Sequence, residues 1–120
     1  MAKKILVCDD AMFTRTLISD ILVKAGYQVV AEAANGVQAI EKYQQDKPDL
    51  VIMDLIMPDM GGIEAIKKIR KLDPNALIIV CSAMGQQALV MEALDAGASD
   101  FVVKPFQPAQ ILNTLKKLLE

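Results

Sequence analysis

The stretch KILVCDDAMFTR (residues 4–15) decides how the rest of the chain is read. Lys4 to Cys8 is apolar enough for a buried strand. Two carboxylates, Asp9 and Asp10, then stand side by side. At ~4 Å and an effective dielectric of ~20, two such charges repel by ~4 kcal/mol. Either a positive partner offsets that repulsion or the side chains point apart.

Working outward, apolar runs and helical periods alternate strictly. Strand-like runs fall at 4–8, 27–33, 50–54, 76–81 and 101–103. Helical periods fall at 11–26, 37–47, 62–72, 86–97 and 108–120. In the first helix the apolar positions are Phe13, Leu17, Ile18, Ile21 and Leu22, and Gly26 is a stop signal. Asn35-Gly36 and Asp73-Pro74-Asn75 read as turns. Ile63, Ile66 and Ile69 share one helix face. Ile111, Leu112, Leu115 and Leu119 read as core, as do Met91 and Leu94, and Pro108 is tolerated in a first helical turn.

Strands that are nearly continuous apolar runs are covered on both faces, which implies a parallel sheet with helices on each side. With right-handed crossovers, five such units predict a doubly wound α/β sheet of five strands in the order 2-1-3-4-5. The 120 residues suit one domain, 1–120, with no linker or low-complexity stretch inside it and no separate output domain expected.

Composition removes several functions. The chain is 53% hydrophobic and 23% charged, in keeping with a globular protein. A net charge of -2 and scattered basic residues give no reason to expect nucleic acid as a partner. The apolar run in MAKKILVCDD is too short to read as a signal peptide, and no run approaches the roughly 18 residues a membrane helix needs, so the expected setting is the cytoplasm. Cys8 and Cys81 end apolar runs and read as buried, reduced thiols. There is no histidine. A Ser-His-Asp triad is therefore excluded, and any histidine chemistry has to come from a partner.

In a doubly wound sheet, ligands bind at the carboxyl ends of the strands. Those ends carry Asp9 and Asp10, then Asp54, then Ser82, then Lys104 followed by Pro105. Taken singly, Asp10 is as well explained by a helix cap, Ser82 by a turn and Lys104-Pro105 by a turn. Asp54 closes LVIMD with no helix start beside it, so capping explains it poorly. Together the five residues form a constellation. Three carboxylates call for a cation, and few protein oxygens with room for water suit Mg²⁺. A hydroxyl, an ammonium and Mg²⁺ suit the oxygens of a phosphoryl group, and a carboxylate can itself be the nucleophile that takes one.

The stretches ILVCDDAMFTR, VIMDLIMPDMGG, IIVCSAMGQQ and FVVKPFQP resemble the receiver domain of two-component response regulators over the whole length. The similarity is narrowest to the single-domain chemotaxis members found outside the enteric bacteria. The resemblance implies a flavodoxin-like fold, with Asp54 as phosphoacceptor. It also implies Mg²⁺ held by Asp10 and Asp54 directly, by Asp9 through a water and by the backbone carbonyl of Ile56. Ser82 and Lys104 would bind phosphoryl oxygens, the Lys104-Pro105 peptide would be cis, and Phe101 would rotate in response. The implied partners are a histidine kinase as donor and the flagellar motor switch protein, with a dedicated phosphatase as a further candidate. A monomeric signalling switch rather than an enzyme follows.

The sequence departs from the family pattern at five positions. Phe101 stands where many chemotaxis members carry Tyr, and Ser82 replaces the commoner Thr. Ile56 and Met84 are apolar where the family tunes hydrolysis, so a long-lived acyl phosphate is expected. Gly61 stands where the family has Asp, so the Gly61-Gly62 pair is expected to loosen its loop. Two other classes share parts of the pattern. A haloacid-dehalogenase-type phosphatase would need its nucleophile after the first strand as D-x-D, and a flavin module would need a phosphate-binding loop where Asp9 and Asp10 stand.

Overall fold

The computed structural model describes residues 2–120. Its strands are β1 (Lys4–Cys8), β2 (Gln28–Ala33), β3 (Leu50–Asp54), β4 (Ile78–Ala83) and β5 (Asp100–Lys104). Between and after them lie α1 (Met12–Lys24), α2 (Gly36–Asp46), α3 (Gly62–Leu72), α4 (Gln87–Ala96) and α5 (Pro108–Leu119). All pairings are parallel and the sheet order is β2-β1-β3-β4-β5, as the alternation predicts.

Side chains of successive strand residues point to opposite faces, and this divides the core in two. Leu6, Cys8, Val51, Met53, Ile78 and Val80 pack under α2, α3 and α4, with Ile66 and Ile69 of α3. Ile5, Val7, Leu50, Ile52, Ile79 and Cys81 pack under α1 and α5, with Ile18, Leu22, Ile111 and Leu115. Each fully buried Ile or Leu contributes roughly 1.5–3 kcal/mol. The two cysteines thus belong to opposite faces. Both are free and buried, and burial pushes each thiol well above its ordinary range.

Several expectations are corrected. In α1 only Ile18 and Leu22 of the apolar set are fully buried, while Phe13 is 79% exposed and Leu17 is also exposed. At about 100° per residue, Phe13 lies about 140° around the helix from Ile18 and cannot reach the sheet. Met91 is likewise exposed, because Val90 and Ala93 form the buried face of α4; Leu94 is partly buried against the core. Asn35 does not end in a free turn. It caps α2, its side chain accepting from Gln38 N–H at 2.9 Å while Gln38 Oε1 accepts from Ala34 N–H. This reciprocal pairing satisfies two backbone donors at the helix start. β4 starts and ends two residues later than expected, because Ser82 and Ala83 pair with Val103 and Lys104 of β5.

Candidate functional site

Asp9 follows β1 directly, and each of its polar groups is engaged. Its N–H donates to Ala33 O at 3.0 Å, so it extends the ladder toward β2. Its Oδ1 accepts from Ala11 N–H at 2.9 Å and its Oδ2 from Lys104 Nζ at 3.0 Å. Its carbonyl accepts from Arg15 Nη1 at 2.7 Å. Asp9 is 1% exposed. Asp10 is exposed and does not cap α1; the cap position is Ala11, with no side-chain bond. The local backbone bond expected of Asp10 is made by its neighbour.

Asp54 ends the fully buried β3 and is 8% exposed. Lys104 Nζ reaches it from the end of β5, 3.3 Å from Oδ2. Burial first, then the charge of Asp9, pushes the Asp54 carboxyl upward; Lys104 and the Ile56 N–H pull the other way without cancelling it. Burial alone would lower the Lys104 ammonium, but its bond to Asp9 and the two carboxylate charges prevail and raise it. The Lys104-Pro105 peptide is cis. Lys104 Nζ also lies 5.9 Å from the centre of the Phe106 ring, within cation–π reach.

The carboxylate oxygens of Asp9, Asp10 and Asp54 lie within 4.8 Å of one another. Among the described residues of the cluster, Lys104 pairs with the two buried carboxylates, Asp9 and Asp54, while Asp10 is exposed. That leaves an excess of negative charge, which a bound cation would offset. The donors are hard oxygens, few in number, with one carboxylate open to solvent. The set fits Mg²⁺ with part of its water shell retained.

The loop after β3 is tightly packed, not loose. Gly62 N–H donates to Leu55 O at 3.0 Å, and a Cβ on Gly62 would collide with the Asp54 carbonyl oxygen. Gly36 N–H donates to Met60 O at 2.8 Å, tying the same loop to the start of α2. Gly61 caps α3 in extended backbone, without a side-chain bond.

Ser82, 2% exposed, is one residue past Cys81, the partner of Asp54 in the ladder. Ser82, Met84, Val90, Met91, Phe101 and Val103 line a groove of about 280 Å³ between α4 and β5. Phe101 is 42% exposed at its rim. Ile56 and Met84 are exposed beside the acidic cluster and the groove. Two contributors escaped the sequence reading, the Arg15 side chain and the Ile56 N–H. Both act through main-chain atoms, which leave no residue-type signature.

The sequence profile described as "Response regulator receiver domain" matches residues 5–116. The chain belongs to this family. It is 59% identical to the chemotaxis protein CheY of Thermotoga maritima over 118 residues, covering 98% of each chain. It is 57% identical to CheY of Bacillus subtilis over 119 residues, covering 99% of each. Among solved structures, the receiver domain is similar to a chain of the CheX-CheY-BeF3-Mg²⁺ complex from Borrelia burgdorferi. The TM-score is 0.93 at 33% identity, covering 98% of this chain and 90% of that one. Its relatives make it a receiver of the two-component, chemotaxis type. No helix among the described residues is long and apolar enough to cross a membrane.

Proposed function

We propose that this receiver domain is a phosphorylation-activated switch that takes a phosphoryl group onto Asp54 from the phosphohistidine of a histidine kinase. The observation that carries the reading is the buried Asp54 carboxylate, gathered with those of Asp9 and Asp10 within 4.8 Å and sharing one ammonium with Asp9. In the transfer, an Asp54 carboxylate oxygen forms a bond to phosphorus as the phosphorus–nitrogen bond of the donor breaks. The nitrogen leaves with the bonding pair. The chain's lack of histidine suits this division of labour.

Asp9, Asp10, Asp54 and the Ile56 carbonyl would hold Mg²⁺, which when bound supplies charge neutralisation for the phosphoryl oxygens. Lys104 supplies a second positive charge on the same side as Asp54, and Ser82 a hydroxyl donor. Asp9, held through both carboxylate oxygens, keeps Lys104 aimed into the site. Ile56 and Met84 carry no polar side-chain atom to orient a water for hydrolysis, so the acyl phosphate is long-lived. As Ser82 turns toward the phosphoryl group, Phe101 moves from the groove rim into the space beside it, and the α4–β5 face changes its affinity for a partner.

The CheY relatives support the flagellar motor switch as that partner, and the CheX-bound neighbour supports a further regulator of the phosphorylated state. The chain then acts as a regulator, catalysing only its own phosphorylation and dephosphorylation. Incubation with acetyl phosphate and Mg²⁺, followed by intact-mass spectrometry, tests the chemistry. The wild type should gain one phosphoryl group and Asp54→Asn none. Labelling of Asp54→Asn to the same extent, or no labelling of the wild type, would refute it.

A further inference from the structure

Arg15 is four residues past the Ala11 cap of α1 and outside the acidic cluster, yet its side chain is only 16% exposed. Its guanidinium makes two directed bonds. Nη1 donates to the Asp9 carbonyl at 2.7 Å, and Nε donates to Glu32 Oε1 at 3.0 Å. Glu32 is on β2, in register with Val7 of β1. The guanidinium therefore spans from the end of β1 to the neighbouring strand, from a helix that has no side-chain cap of its own.

The chain between the end of β1 and the start of α1 is Asp9-Asp10-Ala11, the segment that carries two of the three clustered carboxylates. A carbonyl at the exit of a strand is free to swing with the peptide plane that follows it. Here that plane joins Asp9 to Asp10. Fixing the Asp9 carbonyl fixes the orientation of the peptide from which the exposed Asp10 side chain departs. Among the described residues, Arg15 is the side chain that holds that peptide plane from its carbonyl side. The Asp9 side chain bonds instead to Ala11 N–H and Lys104.

We propose that Arg15 is a positioning residue for Mg²⁺ binding, holding the Asp9–Asp10 peptide so that the Asp10 carboxylate is aimed at the cluster before the cation arrives. The inference rests on the metal-assisted reading of the site given above. It assigns Arg15 no contact with the phosphoryl group. Groups that orient ligands in this way commonly change metal affinity by about 10–100-fold when removed.

The sign of the effect separates positioning from simple electrostatics. Arg15→Met removes a positive charge near an acidic site, which by charge alone strengthens cation binding. Loss of positioning weakens it. The experiment is a MgCl2 titration of the metal-free chain, followed by the amide chemical shifts of residues 9–11 and 54–62, with urea unfolding without metal run in parallel. Arg15→Met should bind Mg²⁺ about tenfold more weakly than wild type. Arg15→Lys keeps the charge but cannot span Asp9 and Glu32 with one ammonium in the same geometry, and should also bind several-fold more weakly. Glu32→Ala, which frees the far side of the guanidinium and is itself outside the cluster, should shift affinity in the same direction by less. Unchanged or tighter binding in folded Arg15→Met, or in Arg15→Lys should Arg15→Met not fold, overturns the proposal, whatever the change in urea midpoint. A wild type that does not bind Mg²⁺ overturns the metal reading itself, which is a distinguishable result.

Discussion

Lys104 Nζ lies 3.3 Å from Asp54 Oδ2, although fifty positions separate the two residues. The contact exists because β3 and β5 flank β4, so their carboxyl ends open on one side of the sheet. The same nitrogen is 3.0 Å from Asp9, which places this ammonium between two buried carboxylates. Lys104→Met should therefore destabilise the metal-free protein, by about 1–2 kcal/mol, because it leaves like charges facing each other without a partner. The estimate is below that for a fully buried pair because the Lys104 side chain is 30% exposed. Urea unfolding at neutral pH without metal is the measurement. Equal stability would mean that solvent already screens the pair.

The opposite change should have the opposite sign. Asp54→Asn removes one buried charge and its repulsion with Asp9, while keeping an oxygen that can accept from Lys104. The metal-free variant should be more stable than wild type, by about 1 kcal/mol, and should fail to phosphorylate. A destabilised Asp54→Asn would show that Lys104 more than offsets the cost of burial.

Asp9 and Asp10 should not respond alike. Both carboxylate oxygens of Asp9 are already engaged, by Ala11 N–H and by Lys104, whereas Asp10 is exposed at the edge of the cluster. Asp10→Ala should therefore lose more Mg²⁺ affinity than Asp9→Ala, and Asp9→Ala should lose more stability. Calorimetric or chemical-shift titration with MgCl2 measures the first and urea unfolding the second. Equal losses of affinity would reject the ranking.

The adjacent glycines of the β3–α3 loop should also differ. A methyl on Gly62 would occupy the space of the Asp54 carbonyl oxygen and crowd Leu55 Cα at 2.9 Å, both of them backbone atoms that cannot rotate away. Gly62→Ala should cost about 2 kcal/mol or more and disturb phosphorylation, since the displaced backbone carries Asp54. At Gly61 a Cβ meets Leu55 O at 3.3 Å, and the backbone is extended with φ −77°. Gly61→Asp should be tolerated or stabilise α3 by a few tenths of a kcal/mol as a cap. Thermal unfolding of the two variants side by side tests the contrast, and equal destabilisation would contradict it.

How much of this was legible follows from where each signal sits. β3 and α3 were bounded correctly from the chain alone: LVIMD is uniformly apolar up to its carboxylate, and GIEAIKKIRKL has one clean face after a double glycine. The end of β4 was not, because Ser82 and Ala83 are strand residues only through pairing with Val103 and Lys104, some twenty positions away. The acidic cluster was legible because sheet topology brings strand ends together whatever the loops do. The bonds that hold Asp9 and Asp54 in place were not, since Ala11 N–H, Ile56 N–H and the Asp9 carbonyl are main-chain atoms common to every residue type. Phe13 and Met91 were misplaced because an apolar residue at a helical spacing says nothing about which side of the helix meets the sheet.

Away from the site, Tyr43 of α2 donates its hydroxyl to Asp73 Oδ2 at 2.7 Å, joining α2 to the end of α3. The bond from Tyr43, then that from Asn75 N–H, hold the Asp73 carboxyl below its ordinary value. An acid lowered in the folded state adds stability that is complete above its unfolded value of ~3.9 and is lost as pH falls through the folded value. Tyr43→Phe should therefore lower stability at neutral pH by about 1 kcal/mol, the net worth of one hydrogen bond at a partly exposed carboxylate. The deficit should shrink below about pH 4, as Asp73 becomes protonated in the wild type and the charge-assisted part of its bond is lost. Urea unfolding of both proteins at pH 7 and at pH 3 measures it. A deficit that stays constant or widens in acid would mean that Tyr43 stabilises through ring packing and not through Asp73.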